Sequence, residues 1–320
     1  RVAPAFGAGL NVSSCVDCGQ CILACPTGAL TEQSRFKEVF NALSDPSKTV
    51  IVQHAPAVSV SLGELFGLKP GADVAGHMTA ALRRLGFDRV YDTSFTADLT
   101  IMEEASELVH RVKSGGVLPM FTSCCPAWVY WVEQNAPDLI PNLSTCKSPQ
   151  QMLGAAAREW LHEKEGIDRH SVYSVAVMPC TAKKFECRRP SHLQEGMADV
   201  DAVLTTRELA RILRMRGLDL EQGEPQPADT PFGLRSSAGK LFGATGGVME
   251  AALRTAYRML TGGDLKDLKI PAARGAQGIK EGRVKIGDLD VGFAVASGLG
   301  NGRKLVDEVR AGRRDLHFIE

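Results

Sequence analysis

No stretch of the 320-residue sequence stays apolar long enough to cross a bilayer, so no membrane insertion is expected. Neither sign of charge is in excess. Lys+Arg and Asp+Glu number 37 each, which argues against a surface built to attract nucleic acid or an anionic membrane. There is no fixed-period repeat and no low-complexity segment. Several familiar catalytic signatures are also missing. Neither Gly-rich turn, 242–247 or 298–302, matches G-x-x-x-x-G-K-S/T, and Gly298-x-Gly300-x-Gly302 has the wrong last spacing for a dinucleotide fingerprint. H-E-x-x-H and G-x-S-x-G do not occur, and the seven histidines are scattered. Hydrophobic content of 44% and charged content of 23% are ordinary for a globular chain large enough for two lobes with real cores.

What the sequence does have is cysteine, nine in all, unevenly grouped. Cys15-Val16-Asp17-Cys18-Gly19-Gln20-Cys21-Ile22-Leu23-Ala24-Cys25-Pro26 is C-x2-C-x2-C-x3-C-P, the signature of a 4Fe–4S cluster. The close spacing lets three thiolates converge on one cube. The fourth cysteine, before Pro, normally serves the other cluster of a two-cluster module. Cys15, Cys18 and Cys21 therefore need a partner from elsewhere, and Cys25 serves a cluster whose other ligands lie outside the run. Zinc remains an alternative, because C-x2-C pairs also bind it. The missing second half of the module, the Arg at position 1 and the strand-like residues 316–320 make the chain read as clipped at both ends. A cytoplasmic location is expected, with any leader lying outside the sequence.

Two further corners carry chemistry. In Thr122-Ser123-Cys124-Cys125-Pro126-Ala127-Trp128 an apolar run gives way to a helix with Pro at its first position, where the missing N–H costs nothing. A helix N-terminus favours thiolate and tolerates an anionic ligand. Adjacent side chains there point in different directions, so one cysteine can bind metal while the other faces a cavity. Val177-Met178-Pro179-Cys180-Thr181-Ala182-Lys183 repeats the pattern of strand, Pro, Cys and helical turn. One such corner alone fits a buried structural cysteine equally well; two corners and a ferredoxin-type run together favour a metal site.

Strands are expected at 49–54, 89–92, 117–121, 171–177, 201–206 and 291–297. Helices are expected within 32–46 and at 73–85 (with Asp73 as cap), 98–112, 126–139, after the polar stretch 144–151 to about 165, 207–216, 248–260 and from 303 onward, with a surface loop at 218–234. The alternation predicts an α/β fold of two lobes, roughly 48–170 and 171–320, each a mostly parallel sheet flanked by helices. A small iron–sulfur segment, residues 1–35, precedes a catalytic domain spanning 36–320. In parallel sheets ligands bind beyond the carboxyl ends of the strands, where these cysteines fall.

T-S-C-C-P-x-W at 122–128 and M-P-C-x-x-K-x-x-E at 178–186 resemble the first two active-site motifs of the iron-only (FeFe) hydrogenases. The likeness runs over nearly the whole chain, through Met102-Glu103-Glu104, Ser148-Pro149-Gln150 and Phe242-Gly243-Ala244-Thr245-Gly246-Gly247. It implies an active site between the lobes: a 4Fe–4S cube joined to a diiron unit carrying CO, cyanide and an azadithiolate, the H-cluster, which reversibly reduces protons to H2. It implies that Cys125 and Cys180 ligate the cube, and that Cys124 hands protons to the bridging amine. Lys183 would donate to an iron-bound cyanide, and such a charge-assisted bond to an anionic acceptor is a strong one. Glu186 would orient that lysine. Met178 and Phe242 would pack against the diiron unit, and Ser148 and Gln150 fall at cofactor-binding positions. Glu107, Ser144, Glu104 and Cys124 would form a proton relay. From the residues alone, Glu104 and Glu107 read as a solvated helix face. The implied partners are ferredoxin or other electron-carrier subunits and H-cluster maturation proteins.

The sequence also departs from that family. Its third motif, E-x-M-x-C-x-x-G-C, is represented only by Glu320, so two of four cube ligands and the bridging cysteine are absent, and this polypeptide expressed alone is expected not to make H2. Ala57 stands where some relatives carry a polar residue. Two other members of the resemblance compete: a hydrogenase-like iron–sulfur assembly protein and a sensory protein, neither turning over H2. The former lacks the paired T-S-C-C cysteines, so Cys124 favours the enzyme. Cys146 and Cys187 are read as ordinary cysteines.

Overall fold

The structure is a computed structural model and describes residue 9 and residues 12–265, 278–287 and 289–320; part of the expected iron–sulfur segment, residues 1–8, 10 and 11, lies outside the described residues. In chain order the elements are α1 (Gln20–Ala24), α2 (Phe36–Leu43), β1 (Thr49–His54), α3 (Pro56–Ser61), α4 (Ala75–Leu85), β2 (Arg89–Asp92), α5 (Ser94–Ser114), β3 (Met120–Phe121), α6 (Pro126–Asn135), α7 (Pro149–Glu165), β4 (Val172–Met178), α8 (Ala182–Glu186), β5 (Leu193–Gln194), β6 (Met197–Ala198), β7 (Ala202–Thr205), α9 (Thr206–Met215), α10 (Gly247–Thr261), β8 (Ile279–Ile286), β9 (Leu289–Ala296), α11 (Leu299–Arg310) and β10 (Phe318–Ile319). No helix among the described residues is long and apolar enough to span a membrane.

The chain forms two units, each built from two separate stretches: residues 1–93 with 149–234, and residues 94–148 with 235–320. This differs from the expected lobes at 48–170 and 171–320. The reason is pairing. β4 lies beside β1 over six residues, from Thr49 opposite Val172 to His54 opposite Val177, so the strand expected to open the second lobe is central to the first sheet. Alternation along the sequence predicts which residues are strand, not which sheet they join.

The first unit holds a wholly parallel sheet in the order β2-β1-β4-β7. β1, Thr-Val-Ile-Val-Gln-His, is rich in β-branched residues and buried from Val50 onward, as a strand covered on both faces must be. α9 begins in a capping box: Thr205 Oγ1 accepts from Glu208 N–H at 3.2 Å, and Thr205 N–H donates to Glu208 Oε2 at 2.8 Å. α4 starts at Ala75 rather than at 73, with Asp73 Oδ1 accepting from Ala75 N–H at 3.0 Å. The region expected as a surface loop, 218–234, straps the open edge of β2. Asp229 N–H donates to Val90 O and Val90 N–H to Asp229 Oδ2, both at 2.7 Å, and Arg83 closes an ion pair with Asp229 at 2.7 Å. An edge covered in this way offers no free ladder to another chain.

The second unit holds a mixed sheet in the order β3-β10-β9-β8: β10 runs parallel to both its neighbours and β8 antiparallel to β9. β8 was not expected. Its alternation, with Val284 and Ile286 inward, is interrupted by charged residues and a glycine. α5 is longer than expected, starting at Ser94 with the buried hydroxyls of Thr96 and Thr100; Thr100 Oγ1 bonds back to Thr96 O at 3.0 Å. α11 starts at Leu299, so the glycines at 300 and 302 lie in its first turn. There a Cβ on Gly302 would stand 3.2 Å from the Trp128 ring. α5 and α10 pack on the sheet through Ala105, Leu108, Met249, Leu253 and Phe318.

Candidate active site

In the second unit, β3 delivers the chain to Thr122, whose N–H donates to Ile319 O at 3.0 Å. Cys125 is the N-cap of α6 and Pro126 its first residue, as expected. Cys124 is half-buried and Cys125 exposed. Trp128 fixes this corner, edge-on to Phe121 at 5.5 Å and stacked on Trp131 at 5.5 Å. The Ser123 hydroxyl donates to Cys146 O at 3.0 Å and draws the 144–146 segment alongside.

Behind the corner runs α5. Ile101, Glu104, Leu108 and Arg111 recur at helical spacing on its buried face. Glu104 thus occupies a core position and is fully buried, which removes the solvated-face reading for it. Neither of its carboxylate oxygens has a hydrogen-bond partner among the described residues. Burial pushes its pKa up to about 8, offset only in part by the Ser144 hydroxyl and the Ser123 N–H nearby. Glu107 is instead held on all sides: it accepts from Ser144 Oγ at 3.0 Å, Thr145 N–H at 3.0 Å and Arg111 Nη2 at 2.6 Å. Arg111, which the sequence reading passed over, also donates to the carbonyls of Val117, Pro141, Asn142 and Leu143. Its i,i+4 spacing from Glu107 was the available signal. Cys146 Sγ stands 4.0 Å from Glu107 Oε2, and burial pushes its thiol up to about 12.

In the same unit Ser148 is buried with an unpartnered hydroxyl, and Phe242 lies half-buried in a 3-10 turn (Gly239–Gly243) outside the unit's buried clusters.

In the first unit β4 ends at Met178, buried in the core, and the chain turns through Pro179 to Cys180 beside the start of α3, where Ala55 N–H donates to Val177 O at 3.0 Å. Ala57 lies in that short helix. Lys183 and Glu186 form an ion pair with Nζ 3.2 and 3.0 Å from the two carboxylate oxygens and only 12% and 5% of their side chains exposed. The amides of Gln150 and Gln151 donate to the same Glu186 oxygen at 3.2 and 3.5 Å, and Gln150 O accepts from Gln53 Nε2 at 2.9 Å.

The iron–sulfur segment also belongs to the first unit. Asp17 and Gly19 have left-handed backbones, with φ of 56° and 76°, and Asp17 N–H points at Cys15 Sγ at 3.4 Å. Turned-in amides of this kind suit the sulfurs of a cluster. The Thr27 hydroxyl and the amides of Leu30 and Thr27 hold the half-buried Cys25 thiol down at about 7, whereas burial raises Cys15. Thr181 Oγ1 donates to Asp17 O at 2.6 Å, tying this segment to the turn after Cys180; a Cβ on Gly19 would collide with that hydroxyl at 2.5 Å. Among the described residues no three Cys, His, Asp or Glu side chains are gathered around a common metal position. The donor set and the loop backbone nonetheless fit a 4Fe–4S cluster.

Residues 48–320 match the model of the iron only hydrogenase large subunit, C-terminal domain. The chain belongs to that family. Residues 9–31 match the 4Fe-4S binding domain. The chain is 49% identical to the NADP-reducing hydrogenase subunit HndD of Solidesulfovibrio fructosivorans over its full length, but spans only 55% of that relative. It is 45% identical to the periplasmic [Fe] hydrogenase large subunit of Nitratidesulfovibrio vulgaris, covering 97% of this chain and 82% of the relative. Cytosolic iron-sulfur assembly component 3 of Mus musculus is 30% identical, with 97% and 68% covered. A solved FeFe-hydrogenase structure, concerned with oxygen inactivation through degradation of the H cluster 2Fe subcluster, aligns with a TM-score of 0.78 at 40% identity, covering 90% of this chain and 82% of that one. The cofactors of this hydrogenase-family chain are accordingly 4Fe–4S clusters and the H-cluster with its diiron subsite.

Proposed function

We propose that the chain forms the catalytic part of a hydrogenase that reversibly reduces protons to H2, with electrons entering through the N-terminal iron–sulfur segment. The observation that carries this reading is Glu104: a buried carboxylate without a hydrogen-bond partner, on the helix behind the paired cysteines, next to a serine and a second, anchored carboxylate. A group costly to bury and left unpaired marks a functional position. With a pKa near 8, Glu104 holds a proton at neutral pH and releases it readily, the property a relay member needs. Arg111 fixes Glu107 and Glu107 accepts from Ser144; the proposed relay continues through Glu104 to Cys124.

When bound, the H-cluster would supply the redox-active iron for proton reduction, with the electrons drawn from the external donor. Cys125 and Cys180 are its proposed cube ligands, Lys183 the donor to a cyanide ligand, and Met178, Phe242, Ser148 and Gln150 its lining. Glu186, pinned by Gln150 and Gln151, keeps the Lys183 ammonium aimed and charged. Cys15, Cys18 and Cys21 hold one accessory cluster and Cys25 serves another. Thr181 ties that segment to the Cys180 turn. The electron donor is a ferredoxin or a partner subunit, maturation proteins load the cluster, and the site of action is the cytoplasm.

A second reading, iron–sulfur assembly without H2 turnover, draws on the 30% identical assembly component. The test loads the full-length protein with its cluster and measures H2 evolution with infrared bands of metal-bound CO and cyanide. Bands and turnover support the hydrogenase; 4Fe–4S signals with neither support the assembly reading.

A further inference from the structure

The glycine-rich segment of the second unit is held at both ends by carboxylates that the relay does not use. At one end Asp98, on α5, accepts from Ser236 N–H at 2.5 Å, Ser236 Oγ at 2.7 Å and Gly239 N–H at 2.8 Å. At the other Glu320, next to β10, accepts from Gly246 N–H at 2.9 Å and Met249 N–H at 2.6 Å. The backbone at both pins leaves no room for a side chain: a Cβ on Gly239 would lie 2.0 Å from Ser94 O, and one on Gly247 would lie 1.8 Å from Leu241 O. Between the pins, Gly243, Ala244 and Thr245 are exposed, and Phe242 is half-buried and outside the hydrophobic clusters of the unit. The ring is thus not part of that unit's buried clusters, while the turn that carries it is fastened at both ends.

We propose that Glu320 and Asp98 are positioning residues for Phe242: two carboxylates fasten residues 236–249 and thereby set the ring against the cofactor. The proposal rests on the reading of Phe242 as cofactor lining. Glu320 also ties the start of the family's third motif to the turn that carries the ring, so one carboxylate registers two parts of the site.

The experiment has two arms on the full chain. In cluster-free protein, Glu320→Ala should exchange the amides of 239–249 at least tenfold faster while α11 is unchanged, and Asp98→Asn should do the same at 236–241. In loaded protein, Glu320→Ala should shift the CO and cyanide infrared bands as Phe242→Ala does, and the double variant should shift them no further. Glu320→Gln, which keeps one acceptor oxygen, should fall between. Unchanged exchange at 239–249, unchanged bands in Glu320→Ala beside shifted bands in Phe242→Ala, or shifts that simply add would each overturn the proposal. If the wild type shows no CO or cyanide bands, the hydrogenase reading fails, and the exchange arm still decides whether the carboxylates pin the turn.

Discussion

Arg111 Nη2 stands 2.6 Å from Glu107 Oε1, and the same guanidinium donates to four main-chain carbonyls around it. One side chain thus ties α5 to the 117 turn and to the 141–143 segment, and fixes the carboxylate at the outer end of the proposed relay. Arg111→Met leaves Glu107 without its countercharge and four carbonyls without a donor. It should lower unfolding free energy by about 3 kcal/mol, read as a lower denaturant midpoint. Arg111→Lys should recover little of that, because an ammonium cannot reproduce the planar fork.

Glu104 gives the unit a pH signature. Its carboxyl ionises near pH 8 when folded and near 4.5 when unfolded, so the folded state binds the extra proton between those values. The contribution of this group is full below about pH 4.5 and is lost as pH rises through 8. Glu320, raised to about 7 by burial, acts in the same direction. Glu104→Gln should flatten this decline and make the cluster-free protein more stable than wild type at pH 8, by up to roughly 4 kcal/mol, with no difference at pH 4.5. Equal melting curves for the two at pH 8 would refute the shift. In the loaded enzyme the same variant should keep its iron and lose about a hundredfold in H2 evolution.

The two adjacent cysteines should separate cleanly by iron analysis of loaded full-length protein. Cys125→Ala should lose the four irons of a cube ligand set. Cys124→Ala should keep its iron and lose turnover. Equal iron loss in both would assign both thiols to metal.

The Lys183–Glu186 pair is buried, and removing one partner leaves the other charged in a poor solvent. Glu186→Leu should therefore cost about 3 kcal/mol in cluster-free protein, whereas the double variant Lys183→Met with Glu186→Leu should cost less than the single one. A double variant that unfolds earlier than the single would contradict this account.

The local elements around the candidate site were more legible than the way they assemble. Both cysteine corners, the proline at the head of α6 and the whole of β1 and β2 stand where the sequence puts them, because spacing, capping and β-branched runs act locally. The burial of Glu104 was legible only in part: its register with Ile101 and Leu108 points inward, but a carboxylate pair usually marks solvent. The long-range choices were not legible. Nothing in the composition of β4 tells it to lie beside β1, and the strap at Asp229 needs a partner edge, Val90, that lies 139 residues away. Arg111 was missed because an arginine on a helix is ordinarily a surface residue, and only the four carbonyls folded around it make it otherwise.

β10 lies between β3 and β9, so the two residues Phe318–Ile319 join strands that are made well before them. On a ribosome β3 meets only the short bridge of Phe121 to Leu143 at first, and its ladder with β10 waits through almost two hundred residues of further synthesis.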